Sequence, residues 1–153
     1  MGQVTHDQAN LMLRLYELRR DPRMREARDW FVLECHASSP QELMSKIPPG
    51  SKENASYRMV TSYWEMAAGM VNRGLIDDEF FFENGGEGWL VYDRLRPFLA
   101  ATREMNGANV LAQLESYGKR FEAWRERVAP GATEKFRARM RQMMEARAKA
   151  SKT

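Results

Sequence analysis

At 153 residues, with 43% apolar, 10% aromatic and 29% charged side chains, the chain has the composition of an ordered globular protein of about one domain, which excludes disorder of the chain as a whole. Its 24 Lys and Arg against 21 Asp and Glu leave a formal charge of +3, and the longest uncharged run, residues 105–114, contains two Asn, one Gly and one Gln, far short of the ~18 or more apolar residues of a membrane span. The lone Cys35 excludes an intrachain disulfide and, with His6 and His36, is too poor a set for a structural zinc site.

The first ten residues carry neither a basic start nor an apolar stretch, and His6 stands where a myristoylation signal wants Ser or Thr, so a cytoplasmic location is expected. Thr5 with Gln8 three residues on forms a capping box that opens a helix over 6–20, striped by Leu11, Leu15 and Leu18 with Met12 beside them. Asp21 before Pro22 opens the next, because a carboxylate caps while proline supplies a helical φ where no N–H is needed. That helix carries Met24, Ala27, Trp30, Phe31 and Cys35 inward. Ser39, Pro40 and Glu42 repeat the pattern for a short helix that Pro48 and Pro49 end.

Ser51 opens a helix over 52–73 whose apolar residues, from Met59 and Val60 to Met70 and Val71, cover nearly the whole circumference, which predicts a central position for it and burial for Trp64 and Ala67. Gly74 closes it as a left-handed cap, with Leu75 folding back on the last turn. Asp77 caps a short acidic helix that stops at Asn84-Gly85-Gly86. A longer helix over 87–105 follows, kinked at Pro97, with Val91, Leu95, Phe98, Thr102 and Met105 on one face. The next, over 108–128, bears Val110, Leu114, Tyr117, Phe121, Trp124 and Val128 at alternating spacings of four and three, a seam for near-parallel packing. An intrachain contact is the favoured reading of that seam, since it stops at Pro130 before three full heptads; a homodimer seam is the alternative, and it would raise the sedimenting mass above 17.8 kDa at micromolar concentration. The last helix, over 133–149, is amphipathic and basic. No alternating β pattern is present, so the expected fold is all-α: a single domain, 1–153, bundling about seven or eight helices, with the basic C-terminal helix at 133–153 at its periphery.

Charge is sorted along the sequence. Residues 75–93 hold six acidic side chains, no basic one and five aromatics, whereas 135–153 hold seven Lys or Arg against one Glu. In the acidic stretch Asp77, Asp78, Glu79, Glu83 and Glu87 could gather around a divalent ion or face a basic partner. The plainer reading is that first-turn carboxylates favour the positive end of a helix dipole. In the basic stretch Lys135, Arg137, Arg139, Arg141, Arg147 and Lys149 could face nucleic-acid phosphate, an anionic surface or an acidic protein patch. Nucleic-acid binders add interleaved aromatics or a recognition helix, and neither occurs here. The basic extreme is expected to lie within about 8–10 Å of the acidic one, in its own chain or in a dimer mate, with Phe136, Met140 and Met143 docking the basic helix. The glycines after Glu83 follow a helix and offer no Lys, so they form a loop and no phosphate cradle. Cys35 and His36 diverge by about 100° on a helix and make no nucleophile–base pair; Cys35 reads as a small buried apolar residue. No Glu has a His three residues later, which disfavours a di-iron bundle.

The block from Tyr63 to Glu104, followed by LAQLESYGKRF, resembles an uncharacterised bacterial family of small helical domains of unknown function. Gly74, Leu75, Ile76 and Asp77 form its GLID-like turn, a short acidic-aromatic helix follows, and Trp89, Leu95, Pro97 and Phe98 with the following Arg103 complete the motif. The resemblance implies a fold and assigns no catalytic, cofactor or metal residue; it also implies relatives with a membrane anchor ahead of this domain, a segment not expected here. The function expected on all this is a non-enzymatic protein-interaction or assembly module, homodimeric or binding an unidentified protein, without a cofactor. Nucleic-acid binding through the basic helix is the alternative, and a metal-dependent enzyme built on the acidic cluster is third.

Overall fold

A computed structural model describes residues 2–153. It is all-helical, with no strand among the described residues: α1 His6–Arg20, α2 Pro22–Leu33, α3 Pro40–Lys46, α4 Lys52–Asn72, α5 Asp78–Phe82, α6 Gly86–Leu95, a 3₁₀ turn Arg96–Phe98, α7 Leu99–Asn106, α8 Ala112–Val128 and α9 Ala132–Ala150. Local chemistry starts the first five. The side chains of Thr5, Asp21, Ser39, Ser51 and Asp77 each accept a backbone N–H of the first turn, as their positions in the sequence predict. At the end of α4, Gly74 has a φ of 74°, its N–H reaches the Val71 carbonyl at 2.9 Å and the Leu75 N–H reaches that of Met70 at 3.0 Å. These are the paired bonds of a Schellman cap, which a residue with a Cβ would strain. Leu75 itself is exposed, and the neighbouring Ile76 enters the core instead.

The predicted helix over 87–105 is two helices, because Pro97 removes a donor and the chain crosses it in a 3₁₀ turn. The predicted helix over 108–128 starts four residues later, at Ala112. Leu111 holds a left-handed φ of 54°, and Arg103 Nε donates to the Val110 carbonyl at 2.9 Å to fix the preceding turn. The cap of α8 comes from elsewhere: the Glu65 carboxylate on α4 accepts the N–H groups of Gln113 at 3.0 Å and Leu114 at 2.7 Å.

α4 lies at the centre, packed chiefly against α2 on one side and α8 on another, and α6 packs on α8. Trp64 is 2% exposed and Ala67 0%. One strip of α4, with Met59 and Met66, faces out, so its apolar circumference is incomplete. Leu114, Tyr117 and Phe121 of the α8 seam are buried, with Phe82 and Phe121 edge-on at 5.6 Å and Trp89 stacked on Phe121 at 6.3 Å. The middle of the seam is therefore occupied within the chain and is not open to a second copy. Leu18, Met105 and Met143, assigned inward by periodicity, are exposed. Cys35 is buried just beyond the end of α2, and burial pushes its thiol up to about 11, so it is an inert side chain at neutral pH.

Candidate functional site

The acidic stretch is largely engaged by the fold. Asp77 Oδ1 accepts the Phe80 N–H at 3.0 Å, Asp78 pairs with Arg120, and Glu79 pairs with Arg127 at 2.8 Å. Glu83, the residue that follows α5, is exposed. Glu87 turns away from these four. Its carboxylate takes the Nε and terminal N–H groups of Arg28 at 2.7 Å each and a terminal N–H of Arg19 at 3.3 Å, tying α6 to α1 and α2. No group of three or more His, Cys, Asp and Glu among the described residues is disposed to hold a metal ion.

Burial by itself would raise the Glu87 carboxyl, but hydrogen bonds and charge from Arg28, with Arg19, outweigh it and hold the group below its ordinary value of 4.5. A depressed folded value contributes stability that is full above the unfolded value and is lost as pH falls through the folded one. Glu87→Gln is expected to cost about 2 kcal/mol at pH 7, less than the ~3–5 kcal/mol of a fully buried broken pair, because these side chains remain 17–22% exposed. Urea unfolding at pH 7 and again below pH 4 checks it: the gap between wild type and variant should close in acid.

The basic stretch forms α9, and its first half is docked. Glu126 at the end of α8 accepts the N–H groups of Gly131 at 2.8 Å and Thr133 at 2.9 Å, serving as the cap that no residue of α9 supplies. Those bonds draw its carboxyl down to about 2. Phe136 meets Trp89 edge-on at 5.5 Å, and the Arg125 guanidinium lies 3.8 Å over the Trp89 ring and 5.6 Å from the Phe136 ring. Arg137 forks onto Asp93 at 2.7 and 3.2 Å and reaches Glu122 at 3.4 Å. The two charge extremes thus meet at Asp93. Asp78 and Glu79 are served by α8, Arg141 pairs with Glu134 of its own helix at 2.9 Å, and Arg147 pairs with Glu34. Lys135, Arg139 and Lys149 are exposed on the outer side.

Docking only half of α9 leaves a groove of about 570 Å³ between it, α6 and the segment after α2. Leu90, Phe136, Met140 and Met144 supply its apolar surface; Arg94, Arg96, Arg137 and Arg141 stand around it with Asp93, Glu145 and His36. Arg94 is fixed from below. One terminal nitrogen donates to the carbonyls of Phe31 and Val32, the latter at 3.0 Å, and the guanidinium lies 5.4 Å over the Phe31 ring. Burial, then the charges of Arg94 and Lys46, lower the His36 imidazole, which is therefore neutral at pH 7, and its Nε2 is buried without a partner.

Of the basic residues singled out by sequence, Arg137 and Arg141 line this groove. Leu90, Arg94 and Arg96 do not stand out in sequence, and His36 does so only as the neighbour of Cys35, because they come from two other segments. The one legible sign is the alternation of Arg94 and Arg96 around a core Leu95, which places charge beside an apolar face.

No curated protein and no solved structure matches the chain. A family model does: residues 4–121, more than three quarters of the chain, match the domain of unknown function DUF4760, a span that contains every residue of the GLID-to-Arg103 motif. The chain belongs to that family.

Proposed function

We propose that this chain is a protein-interaction module whose α6–α9 groove takes an acidic amphipathic segment of a partner protein. The observation that carries this reading is the composition of the groove: an apolar strip of Leu90, Phe136, Met140 and Met144 bordered by four arginines against two carboxylates. Methionine side chains adapt to varied apolar surfaces, and guanidinium forks favour carboxylates, so the groove suits a helix with apolar anchors on one face and Asp or Glu beside them. The family match ends at residue 121, so α6 lies inside the matched span and α9 follows it. Nucleic-acid binding through α9 is less well supported, since the one aromatic side chain of that helix, Phe136, is packed on Trp89 and none alternates with the arginines to stack on bases.

The test is fluorescence anisotropy with a labelled amphipathic peptide of about eighteen residues bearing Leu at helical spacing and Glu elsewhere. Binding at micromolar concentration is expected, weakening several-fold between about 50 and about 300 mM salt. Met140→Asp and Arg96→Glu, the latter at an exposed rim position, should each weaken it by roughly tenfold. No binding by the wild-type chain, or unchanged binding by both variants, overturns the reading.

A further inference from the structure

A second cationic feature lies on the α1–α2 hairpin, hidden in the sequence because acidic residues are interspersed with the arginines there. The fold removes some of those carboxylates from play: Asp21 caps α2, and Glu26 pairs with Lys52. Between the helices remains a cavity of about 470 Å³ lined by Tyr16, Arg19, Arg20, Arg25 and Arg28.

Glu87 holds two of these guanidiniums from α6, receiving both ends of the Arg28 fork and one terminal N–H of Arg19. Arg28 also donates to the Arg19 carbonyl at 3.0 Å, so its orientation is set by three bonds. Arg19 Nε is buried without a partner. Arg20 and Arg25 are exposed and make no ion pair among the described residues; Arg20 lies 6.0 Å over the Tyr16 ring. Four guanidiniums therefore line one concavity that no carboxylate lines, and Glu87 pairs with two of them from outside it.

Like charges concentrated at a concave wall raise the local potential and attract a counter-ion from solution. A carboxylate satisfies one arginine fork, whereas a tetrahedral dianion accepts from several forks at once and more nearly matches the charge. We propose that this pocket is an oxyanion site for a phosphate group. Arg20 and Arg25 close on the phosphate, while Arg19 and Arg28, already aligned by Glu87, add the N–H groups that their internal bonds leave over. Tyr16 is the one lining residue that is not an arginine, so the pocket reads the phosphate and little of what it is attached to. Inorganic phosphate and a phosphate monoester share that chemistry.

The full chain, labelled with ¹⁵N, is titrated with inorganic phosphate, with O-phosphoserine, and with sodium chloride at matched ionic strength, following the arginine Nε–H resonances. Saturable shifts of Arg19, Arg20, Arg25 and Arg28 are expected at millimolar phosphate and not with chloride. Arg20→Gln combined with Arg25→Gln should weaken phosphate by roughly tenfold or more with an unchanged thermal midpoint, and Arg14→Gln, exposed on α1 outside the pocket, should bind as wild type. Equal affinity for both phosphates identifies the free anion as sufficient; clearly tighter phosphoserine identifies a phosphorylated side chain as the source. Shifts that match chloride and do not saturate, or equal weakening by Arg14→Gln, overturn the proposal.

Discussion

Trp64→Ala is expected to destabilise the protein by about 3–5 kcal/mol, lowering the thermal midpoint by roughly 6–20 °C for a chain of this size. The indole is 2% exposed at the centre of α4, edge-on to Tyr63 at 5.0 Å with the Arg19 guanidinium 5.2 Å over its ring. Its other side meets backbone. A Cβ placed on Gly88 would lie 2.6 Å from Trp64 Cε3, so α6 already rests directly on the ring. With no side chain at Gly88 to relax inward, the vacated volume would persist as a cavity, and the upper half of the range applies. Chemical denaturation at pH 7 measures it; a change under about 1 kcal/mol means that Trp64 does not occupy this position.

Gly118→Ala should cost about 3 kcal/mol, at the top of the ~1–3 kcal/mol usual for overpacking. On an exposed helix the same change would stabilise by up to ~1 kcal/mol, so the expected sign is opposite to propensity. The reason is contact. A Cβ at Gly118 would lie 2.1 Å from Cδ1 and 2.2 Å from Cγ of Tyr92, and that ring is 4% exposed between α6 and α8 with little room to swing. A double-mutant cycle with Tyr92→Ala isolates the effect. Tyr92→Ala is destabilising by itself, but on that background Gly118→Ala should become neutral or favourable by up to ~1 kcal/mol. If Gly118→Ala costs the same in both backgrounds, its effect does not arise from the α6–α8 contact.

How much of this architecture could be read without coordinates depended on the range of the responsible interaction. Thr5, Asp21, Ser39, Ser51 and Asp77 each start a helix through a bond to a backbone N–H two or three residues away, so their role is written in adjacent letters. Pro97 and Gly74 act through their own backbone: the cap at Gly74 was equally legible, whereas Pro97 read as a kink in one helix and in the fold divides it into two. The start of α8 was not, because its donors are satisfied by Glu65, 48 and 49 positions earlier in the chain. A residue cannot advertise a cap to a helix it reaches only through the fold.

The same division holds for exposure and for the candidate sites. Helical period placed the seam residues Leu114, Tyr117 and Phe121 on one face, and the choice between an internal and an external partner fell to Phe82 and Trp89, which reach that face from α5 and α6. Period also put Leu18, Met105 and Met143 on apolar faces, but no neighbouring element covers them and they stay in solvent. By itself the sequence determined the all-helical class, most helix boundaries, the central place of Trp64 and the segregation of acidic from basic segments, because each follows from spacing along one chain. Tertiary structure alone decided which charges cancel: it set Arg137 on Asp93 and Arg28 on Glu87, and it left Arg94 of the α6–α9 groove and Arg20 and Arg25 of the α1–α2 pocket without an ion pair among the described residues. Ion pairing falls off over a few ångströms while sequence separation here runs to 44 and 59 residues, so only the packing of the helices could make those assignments.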